Sequence, residues 1–131
     1  MTNIIVDGSN VIRSVYHPTG KPDFALEASL ADSLVYYLQQ FVDSGRSIEC
    51  YFDGKKRYVA RPKDMSVFFS AYKPADKLIL NSVFEHTQSY GHNVIVVTGD
   101  NEIIDKSRSY GADVQYTYDF LKGFIPYLQA A

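Results

Sequence analysis

Two apolar runs of β-branched residues limit the architectures that this chain can adopt. The segments NIIVD, residues 3–7, and NVIVVT, residues 93–98, contain no polar position between their ends. A strand with one solvated face alternates apolar and polar residues, whereas a strand of a parallel sheet is covered on both faces and reads as a continuous apolar run. The two runs therefore predict strands of a parallel sheet that has helices packed on both sides.

Shorter β-rich runs alternate with helical stretches along the rest of the chain, which is typical of α/β proteins. Further strands are predicted at SIECYFDG (47–54), MSVFFSA (65–71) and DVQYTY (113–118). Helices are predicted over 25–45, where Gly45 ends the helix, over 75–91 after Pro74, over 101–111, and over 119–129, where Pro126 kinks or delimits the helix. We expect a single three-layer α/β domain, residues 1–131, with a mainly parallel sheet of about five strands.

Apolar residues recur every three or four positions in two of these helices, which is the spacing of an amphipathic helix on a core. In the first helix they are Leu26, Leu30, Leu34, Leu38 and Phe41. In the second they are Leu78, Ile79, Val83 and Phe84. We expect both sets to face the sheet. For three aromatic residues we favour a place in the core over a place on the surface: Tyr51, Phe68 and Phe69.

Composition excludes several classes of protein. Hydrophobic residues make up 46% of the chain and charged residues 21%, as in globular rather than disordered proteins. No apolar stretch approaches the roughly 18 residues of a membrane span, and the N-terminus lacks the pattern of a signal peptide. The single cysteine, Cys50, has no disulfide partner in the chain, and no phosphate-binding glycine loop or dinucleotide fingerprint is present. We expect a cytoplasmic protein without membrane attachment.

Acidic residues stand at the ends of three predicted strands. Asp7, Asp53 and Asp100 each follow an apolar run and precede a small or turn-forming residue, and Asp76 stands at the start of a predicted helix. Taken one at a time, such residues are commonly turn formers or helix caps. Ligands of open parallel sheets, however, bind outside the carboxyl ends of the strands. We therefore expect the four acids to share one edge of the sheet, with Asn10 close behind Asp7.

Carboxylates crowded at one edge repel each other and raise each other's pKa unless a cation lies among them. Carboxylate and amide oxygens are hard ligands that suit Mg²⁺ or Mn²⁺, and the three histidines match no zinc-ligand spacing. The usual chemistry of such a cluster is displacement at phosphorus, in which the metal neutralises phosphate oxygens, activates water and stabilises the leaving oxygen. The acids therefore predict metal-dependent chemistry on a phosphate ester.

Basic residues are concentrated in one part of a chain whose net charge is only −2. Between residues 55 and 77, where seven of the thirteen lysines and arginines fall, Asp64 and Asp76 are the only acids. A basic stripe beside an acidic site would guide a polyanion toward it, although a solvated loop and helix edge has the same appearance in sequence. The seven residues of this basic stripe are Lys55, Lys56, Arg57, Arg61, Lys63, Lys73 and Lys77.

Five motifs follow one another along the chain: IIVDGSNVI (4–12), YFDG (51–54), PADKLI (74–79), VIVVTGDNEI (94–103), and GADV followed by DFL (111–121). With these motifs in this order, the chain resembles the NYN domains, which are PIN-like ribonucleases, and most closely their YacP-like branch. The resemblance covers nearly the whole chain, and VDGSNVI is its most specific motif. It implies a PIN-like domain and a Mg²⁺- or Mn²⁺-dependent endoribonuclease that acts on single-stranded RNA.

The resemblance also implies roles for individual residues. Asp7, Asp76 and Asp100 are the implied catalytic acids and metal ligands, and Asn10 is expected to orient Asp7 or to contact the substrate. The implied supporting residues are Asp53, Asn101 and Asp105. With Asn10, the candidate substrate-binding residues are Lys55, Lys56, Arg57, Arg61, Lys73 and Lys77. The expected partner is RNA (mRNA, tRNA or rRNA), and a protein partner or a second copy of the chain is a further candidate.

Lys77 departs from the YacP-like pattern, which often carries a second acid after the Ala-Asp of the third motif. A lysine there lowers the number of acids that can hold a metal. It therefore favours an alternative, a weakly active or inactive NYN-type module that binds RNA or a protein without cutting. Aromatic residues in and around the basic stripe would suit this alternative by stacking on unpaired bases; they are Tyr51, Tyr58, Phe68, Phe69 and Tyr72.

Overall fold

Five parallel strands form the central sheet of the computed structural model, which describes residues 1–17, 19–56 and 64–130. The strands are β1 (Thr2–Asp7), β2 (Arg46–Phe52), β3 (Met65–Phe69), β4 (Asn93–Thr98) and β5 (Asp113–Tyr116). They lie in the order β3-β2-β1-β4-β5, and every neighbouring pair is parallel. The predicted α/β fold with a parallel sheet of about five strands is therefore confirmed.

Helices cover both faces of this sheet. They are α1 (Gly8–Tyr16), α2 (Phe24–Gln39), α3 (Asp76–Thr87), α4 (Asn101–Ser109) and α5 (Thr117–Ala130). Helices α1, α2 and α5 pack together on one face, and α3 and α4 pack together on the other. Among the described residues, no helix is both long enough and apolar enough to cross a membrane.

Neighbouring residues of β1 show why the strand needs a continuous apolar run. Ile5 belongs to the core beneath α3 and α4, together with Val96 of β4. Val6 belongs to the core beneath α1, α2 and α5, together with Val97 of β4. Successive side chains of a strand point to opposite faces, and here both faces are covered. A polar side chain at any of these four positions would be buried without a partner, which costs free energy.

The order of the strands reverses at β1 and β4. From β1 the chain moves outward through β2 to β3, and then returns to β4 on the other side of β1 and continues to β5. As a result, α1 leaves β1 toward one face of the sheet and α4 leaves β4 toward the other. This divergence opens a crevice at the carboxyl ends of the two strands, where α/β proteins bind their ligands.

Helix α1 is not among the helices predicted from the sequence. The helix begins at Gly8, directly after Asp7. Glycine, serine and asparagine are weak helix formers that favour turns, which is why the local pattern predicts no helix here. The helix is stabilised by tertiary packing, because Val11 and Ile12 are fully buried in the core shared with α2 and α5.

Helix α2 ends earlier than its pattern predicts. Asp23 caps its start by accepting a hydrogen bond from the backbone amide of Leu26, and its last residue is Gln39. The predicted end at Gly45 is wrong because residues 40–45 form turns, in which the Asp43 carboxylate accepts the amide of Gly45.

The boundary between β5 and α5 also differs from the prediction. The strand ends at Tyr116, because α5 begins at the next residue, Thr117. Pro126 lies inside α5, so this proline does not delimit the helix.

The apolar faces of α2 and α3 are predicted correctly near the helix centres and wrongly at the margins. Leu30, Leu34 and Leu38 of α2 are buried, and Phe41 beyond it packs against the same core, but Leu26 in the first turn is exposed. In α3, Ile79 and Val83 are buried, whereas Leu78 and Phe84 are exposed. Helix α3 rests on β1 and β4, and it buries only a narrow stripe there. The residues that flank the stripe therefore remain in solvent.

The aromatic residues near the basic stripe differ in burial. Tyr51 is buried and Phe69 packs against the core, as predicted. Phe68 is 40% exposed, so its predicted place in the core is wrong. It lies on the edge strand β3, outside the area that α3 covers, where it stacks on Tyr51. Tyr58 lies outside the described residues.

Candidate active site

The four predicted acids occupy element ends at the carboxyl edge of the sheet. Asp7 is the last residue of β1, and Asp53 directly follows β2. Asp100 lies two residues beyond β4 and is the residue before α4, while Asp76 is the first residue of α3. Because β2, β1 and β4 are neighbours and parallel, their carboxyl ends bring acids that are distant in sequence to the crevice.

Asp7 is the most buried of these acids, with 7% of its surface exposed. Burial raises its pKa from 3.8 to about 7, because a charged carboxylate loses its hydration there. A hydrogen bond from Thr98 and the backbone amide of Asn10 act in the opposite direction, and the charges of Asp53 and Asp76 raise the pKa further. A cation in the crevice would reverse this balance and favour the ionised form.

Asp76 responds to the same surroundings. Its pKa is raised first by burial, and then by the charges of Asp100 and Asp53. The charge of Glu102 raises it too. The charges of neighbouring acids contribute to the raised pKa of Asp7 and of Asp76. These carboxylates are therefore close enough to interact electrostatically.

Asp100 is both a helix cap and a candidate ligand. Its Oδ1 accepts hydrogen bonds from the backbone amides of Glu102 at 2.9 Å and Ile103 at 3.1 Å, which satisfies the free amides at the start of α4. Its Oδ2 makes no hydrogen bond to any other described residue. The cap fixes the orientation of the carboxylate, and the second oxygen is the one that can serve a ligand.

Thr98 joins two of the acids, although the motif that contains it, VIVVTGDNEI, predicts no role for it. The side chain is fully buried at the end of β4. Its hydroxyl donates to Oδ2 of Asp7 at 2.9 Å and accepts from the backbone amide of Asp100 at 3.1 Å. The threonine in VTGD follows an apolar strand and ordinarily suits a strand end, so its position carried no functional signal. It fixes Asp7 relative to the turn that leads into α4.

Replacement of Thr98 tests this link. Thr98→Val keeps the shape of the side chain but removes both hydrogen bonds, so we expect a loss of about 1 to 3 kcal/mol in the free energy of unfolding. Thr98→Ser keeps the hydroxyl and serves as the control, with a smaller loss. Denaturant unfolding of the three proteins measures the difference. Equal stabilities for the valine and serine variants would show that the hydroxyl contributes nothing.

Asn10 connects α1 to the opposite side of the crevice. Its side-chain oxygen accepts hydrogen bonds from the backbone amide of Gly99 at 2.9 Å and from the hydroxyl of Thr117 at 2.6 Å. Its Nδ2 makes no hydrogen bond to another described residue. Asn10 therefore braces the turn between β4 and α4, and its amide nitrogen is a candidate donor to a ligand.

Asp53 uses both of its oxygens to hold protein groups. Oδ1 accepts the backbone amide of Ala75 at 2.8 Å, and Oδ2 accepts a hydrogen bond from Arg13 at 2.9 Å. Its own backbone amide donates to the hydroxyl of Ser9 at 2.8 Å. Asp53 thus ties the end of β2 to the start of α3, immediately before Asp76. This geometry suits a supporting residue that positions Asp76.

Arg13 extends this tie to a buried carboxylate. It lies 3.6 Å from Glu27 of α2, which is 2% exposed and also accepts a hydrogen bond from the hydroxyl of Tyr16. The guanidinium therefore bridges an acid at the crevice and an acid in the core. Neither Arg13 nor Glu27 belongs to the sequence motifs, because their partners are 40 and 11 residues or more away along the chain.

The basic residues fall into two groups. Lys55 and Lys56 are exposed just beyond β2, and Arg57, Arg61 and Lys63 lie outside the described residues. Lys73 and Lys77 are exposed on either side of Asp76, and all three line a cleft of about 470 Å³. The sequence-based prediction had omitted Lys106 of α4, which lines the same cleft and pairs with Glu102 at 3.0 Å.

The remaining supporting candidates, Asn101 and Asp105, are exposed on α4 one helical turn apart. Asn101 is the first residue of the helix, directly after Asp100. Both side chains are open to solvent, unlike the buried Asp7.

The donor set suits a hydrated hard cation. Among the described residues, no three acidic, histidine or cysteine side chains are arranged as a ready-made metal cage. Mg²⁺ commonly keeps several waters and takes only one or two carboxylates from the protein. Burial, and after it the charges of neighbouring acids, raise the pKa values of Asp7 and Asp76, and a cation at this edge would favour their ionised forms. The residues therefore fit Mg²⁺ or Mn²⁺ held partly by water.

Comparisons with known proteins agree with this fold. The model of the YacP-like NYN domain family matches residues 4–124. The chain is similar to two crystal structures of Rae1 (YacP) from Bacillus subtilis, one of them of a point mutant. For the mutant, the TM-score is 0.73 at 17% identity, over 99% of this chain and 79% of the other. The second gives 0.71 at 16% identity, over 99% and 77%. No curated protein sequence matches the chain.

Proposed function

This chain belongs to the YacP-like NYN domain family, a family of PIN-like ribonucleases, and we propose that it is a Mg²⁺- or Mn²⁺-dependent endoribonuclease that cleaves single-stranded RNA. One observation supports the proposal above the others. Asp7 is buried where the strand order of the sheet reverses, and its pKa is raised to about 7. The acids beside it disfavour each other's ionisation. A bound divalent cation would relieve that cost.

The residues around the crevice have complementary tasks under this proposal. Asp7, Asp76 and Asp100 would hold the metal, one or two of them directly and the rest through its bound waters. Thr98 and the amides at the start of α4 keep two of these carboxylates in a fixed orientation. A bound Mg²⁺ or Mn²⁺ supplies neutralisation of the phosphate oxygens and a more acidic water. Lys73 and Lys77 would attract the phosphates of RNA, whether mRNA, tRNA or rRNA, toward an edge that is otherwise negative.

Cleavage of a labelled single-stranded RNA tests the proposal. We expect the purified protein to cut the RNA internally with Mn²⁺ or Mg²⁺, and to lose this activity in EDTA. Asp76→Asn and Asp100→Asn should each reduce the rate at least about 10-fold, since even indirect partners of metal ligands contribute that much. The control is Asp113→Asn, which removes an exposed acid at the amino end of β5, on the opposite edge of the sheet. Wild-type protein that leaves the RNA intact with every metal would overturn the proposal.

A second candidate is a NYN-type module that binds RNA without cutting it. It is favoured by Lys77, whose side chain lines the same cleft as Asp76, and by the lack of a ready-made three-acid cage in the described residues. An ammonium group there competes with a cation for the carboxylates. A gel shift without metal-dependent cutting would support this candidate. If neither occurs, a protein-binding role becomes the better proposal.

A further inference from the structure

The turn between β3 and α3 carries an aromatic ring in water. Tyr72 is 87% exposed, and it lies four residues before Asp76. The ammonium of Lys55 lies over its ring, 5.5 Å from the centroid. At this exposure the other face of the ring is open. The ring therefore adds little to the stability of the fold, because apolar surface stabilises a protein only when it is buried.

Hydrogen bonds nevertheless hold this turn firmly on the end of β2. The backbone amide of Ser70 donates to the carbonyl of Phe52 at 3.0 Å, and the amide of Ala71 donates to the carbonyl of Gly54 at 2.7 Å. The hydroxyl of Ser70 closes the turn on the carbonyl of Lys73. A ring on a turn of this kind is presented with little loss of conformational entropy when it binds a ligand.

The backbone of the turn is strained at one residue. Ala71 has a φ of 63°, in the left-handed region that alanine rarely adopts. Such strain persists where the surrounding structure imposes it, and it is concentrated at binding and catalytic sites. Tyr72, the next residue, extends into solvent.

The turn is also tied to the acidic edge. The amide of Ala75, at its far end, donates to Asp53, whose other oxygen is held by Arg13. Tyr72 therefore belongs to the same rigid unit as Asp76. Lys73 beside it is exposed, and Lys55 lies over the ring, so an aromatic face and two cations stand together next to the proposed catalytic site.

We propose that Tyr72 is a stacking platform for one unpaired base of the RNA, with Lys55 and Lys73 binding the phosphates beside that base. The inference rests on the proposed function, and it names the recognised element: a single-stranded nucleotide next to the cleaved bond. An open aromatic face attracts an unpaired base of any sequence, whereas a base within a duplex offers no free face. The platform would therefore select for single strands without strong sequence preference.

Binding measured without cutting tests the platform. The probe is a fluorescein-labelled single-stranded RNA of eight nucleotides, followed by fluorescence anisotropy in EDTA with wild type, Tyr72→Ala, Tyr72→Phe and Tyr90→Ala. Tyr90 is the matched control, since it is a fully exposed tyrosine just before β4, at the amino end of the sheet. We expect Tyr72→Ala to weaken binding about 5- to 100-fold, and the phenylalanine and Tyr90 variants to bind within about twofold of wild type.

The outcomes separate the platform from the proposed function. Equal affinity of wild type and Tyr72→Ala overturns the platform, and wild-type cleavage in Mn²⁺ would leave the nuclease proposal standing. Equal losses for Tyr72→Ala and Tyr90→Ala also overturn it, because the effect would then be unspecific. A loss confined to Tyr72→Ala, absent with a duplex of the same sequence and accompanied by an unchanged melting temperature, supports it. If the wild type binds no RNA in EDTA, the proposal of a stacking platform is overturned as well.

Discussion

Replacement of Asp7 by asparagine is expected to abolish RNA cleavage while it stabilises the metal-free protein above neutral pH. Changes in the partners of metal ligands already cost about 10- to 100-fold, so loss of a ligand should cost at least about 100-fold in rate. The gain in stability has a separate cause. Asparagine keeps an oxygen that can accept the hydrogen bond of Thr98, but it carries no charge that must be buried.

The pH dependence of this gain follows from the raised pKa. In the metal-free fold Asp7 keeps its proton up to about pH 7, whereas in the unfolded chain it ionises near 3.8. The unfolded state binds fewer protons between these values, so the stability of the wild type falls as the pH rises from about 4 to about 7, and then levels. A pKa raised to about 7 corresponds to a loss of up to roughly 4 kcal/mol in the free energy of unfolding at pH 8. This loss should be absent in Asp7→Asn.

Thermal unfolding in EDTA at pH 4.5 and pH 8 measures the effect. At pH 8 we expect Asp7→Asn to melt up to roughly 15 °C above the wild type, and at pH 4.5 the difference should shrink to about a quarter of that value. Asp113→Asn, which changes an exposed acid, should melt like the wild type at both values. An Asp7→Asn protein less stable than wild type at pH 8 would mean that the carboxylate is not buried at a net cost.

The parallel sheet could be predicted because its cause is local. Each β-branched run is short, continuous and covered on both faces, so that the run itself reports the burial of β1 and β4. Helix α1 could not be predicted in this way. It forms because Val11 and Ile12 pack under α2 and α5, and that contact depends on residues that lie far along the chain. The exposure of Phe68 also depends on tertiary structure, since it reflects which strands α3 covers.

In the candidate site, too, some residues could be predicted from the sequence and others could not. The acids could be located because a parallel sheet collects its carboxyl ends at one edge, so the ends of the predicted strands are enough to place Asp7, Asp53 and Asp100 there. The groups that hold these acids carry no such signal. Thr98 is an ordinary residue for a strand end, and Arg13 becomes recognisable only when Asp53 and Glu27 are seen beside it. The charged groups of such a site can be recognised in the sequence, whereas the residues that hold them in place are recognised only in the folded structure.

Replacement of Gly8 by alanine is expected to be among the most destabilising small changes in the chain. A Cβ atom at this position would lie 2.6 Å from Cε1 of Phe52 and 2.8 Å from the backbone oxygen of Tyr51. Helix propensity favours alanine over glycine by about 0.5 to 1 kcal/mol in the middle of a helix, so it would favour alanine by at most this amount at Gly8, the first residue of α1. The clash should reverse that sign, because Phe52 is fully buried and Tyr51 belongs to the central part of the sheet. Overpacking of this kind costs about 1 to 3 kcal/mol and occasionally more.

The same clash should also affect the candidate active site, because α1 would have to move away from β2 to relieve it. Asp7 directly precedes Gly8 and Asn10 follows it by two residues, so such a movement displaces a proposed metal ligand and the brace to Gly99 together. A displacement of about 1 Å can cost roughly 100-fold in rate, so we expect Gly8→Ala to lose most of its cleavage activity even where it remains folded. Gly45→Ala is the matched control, since its Cβ would meet nothing closer than 3.5 Å. Unfolding in urea and cleavage of RNA measure both effects, and a Gly8→Ala protein as stable and active as Gly45→Ala would show that α1 does not need the close approach to β2.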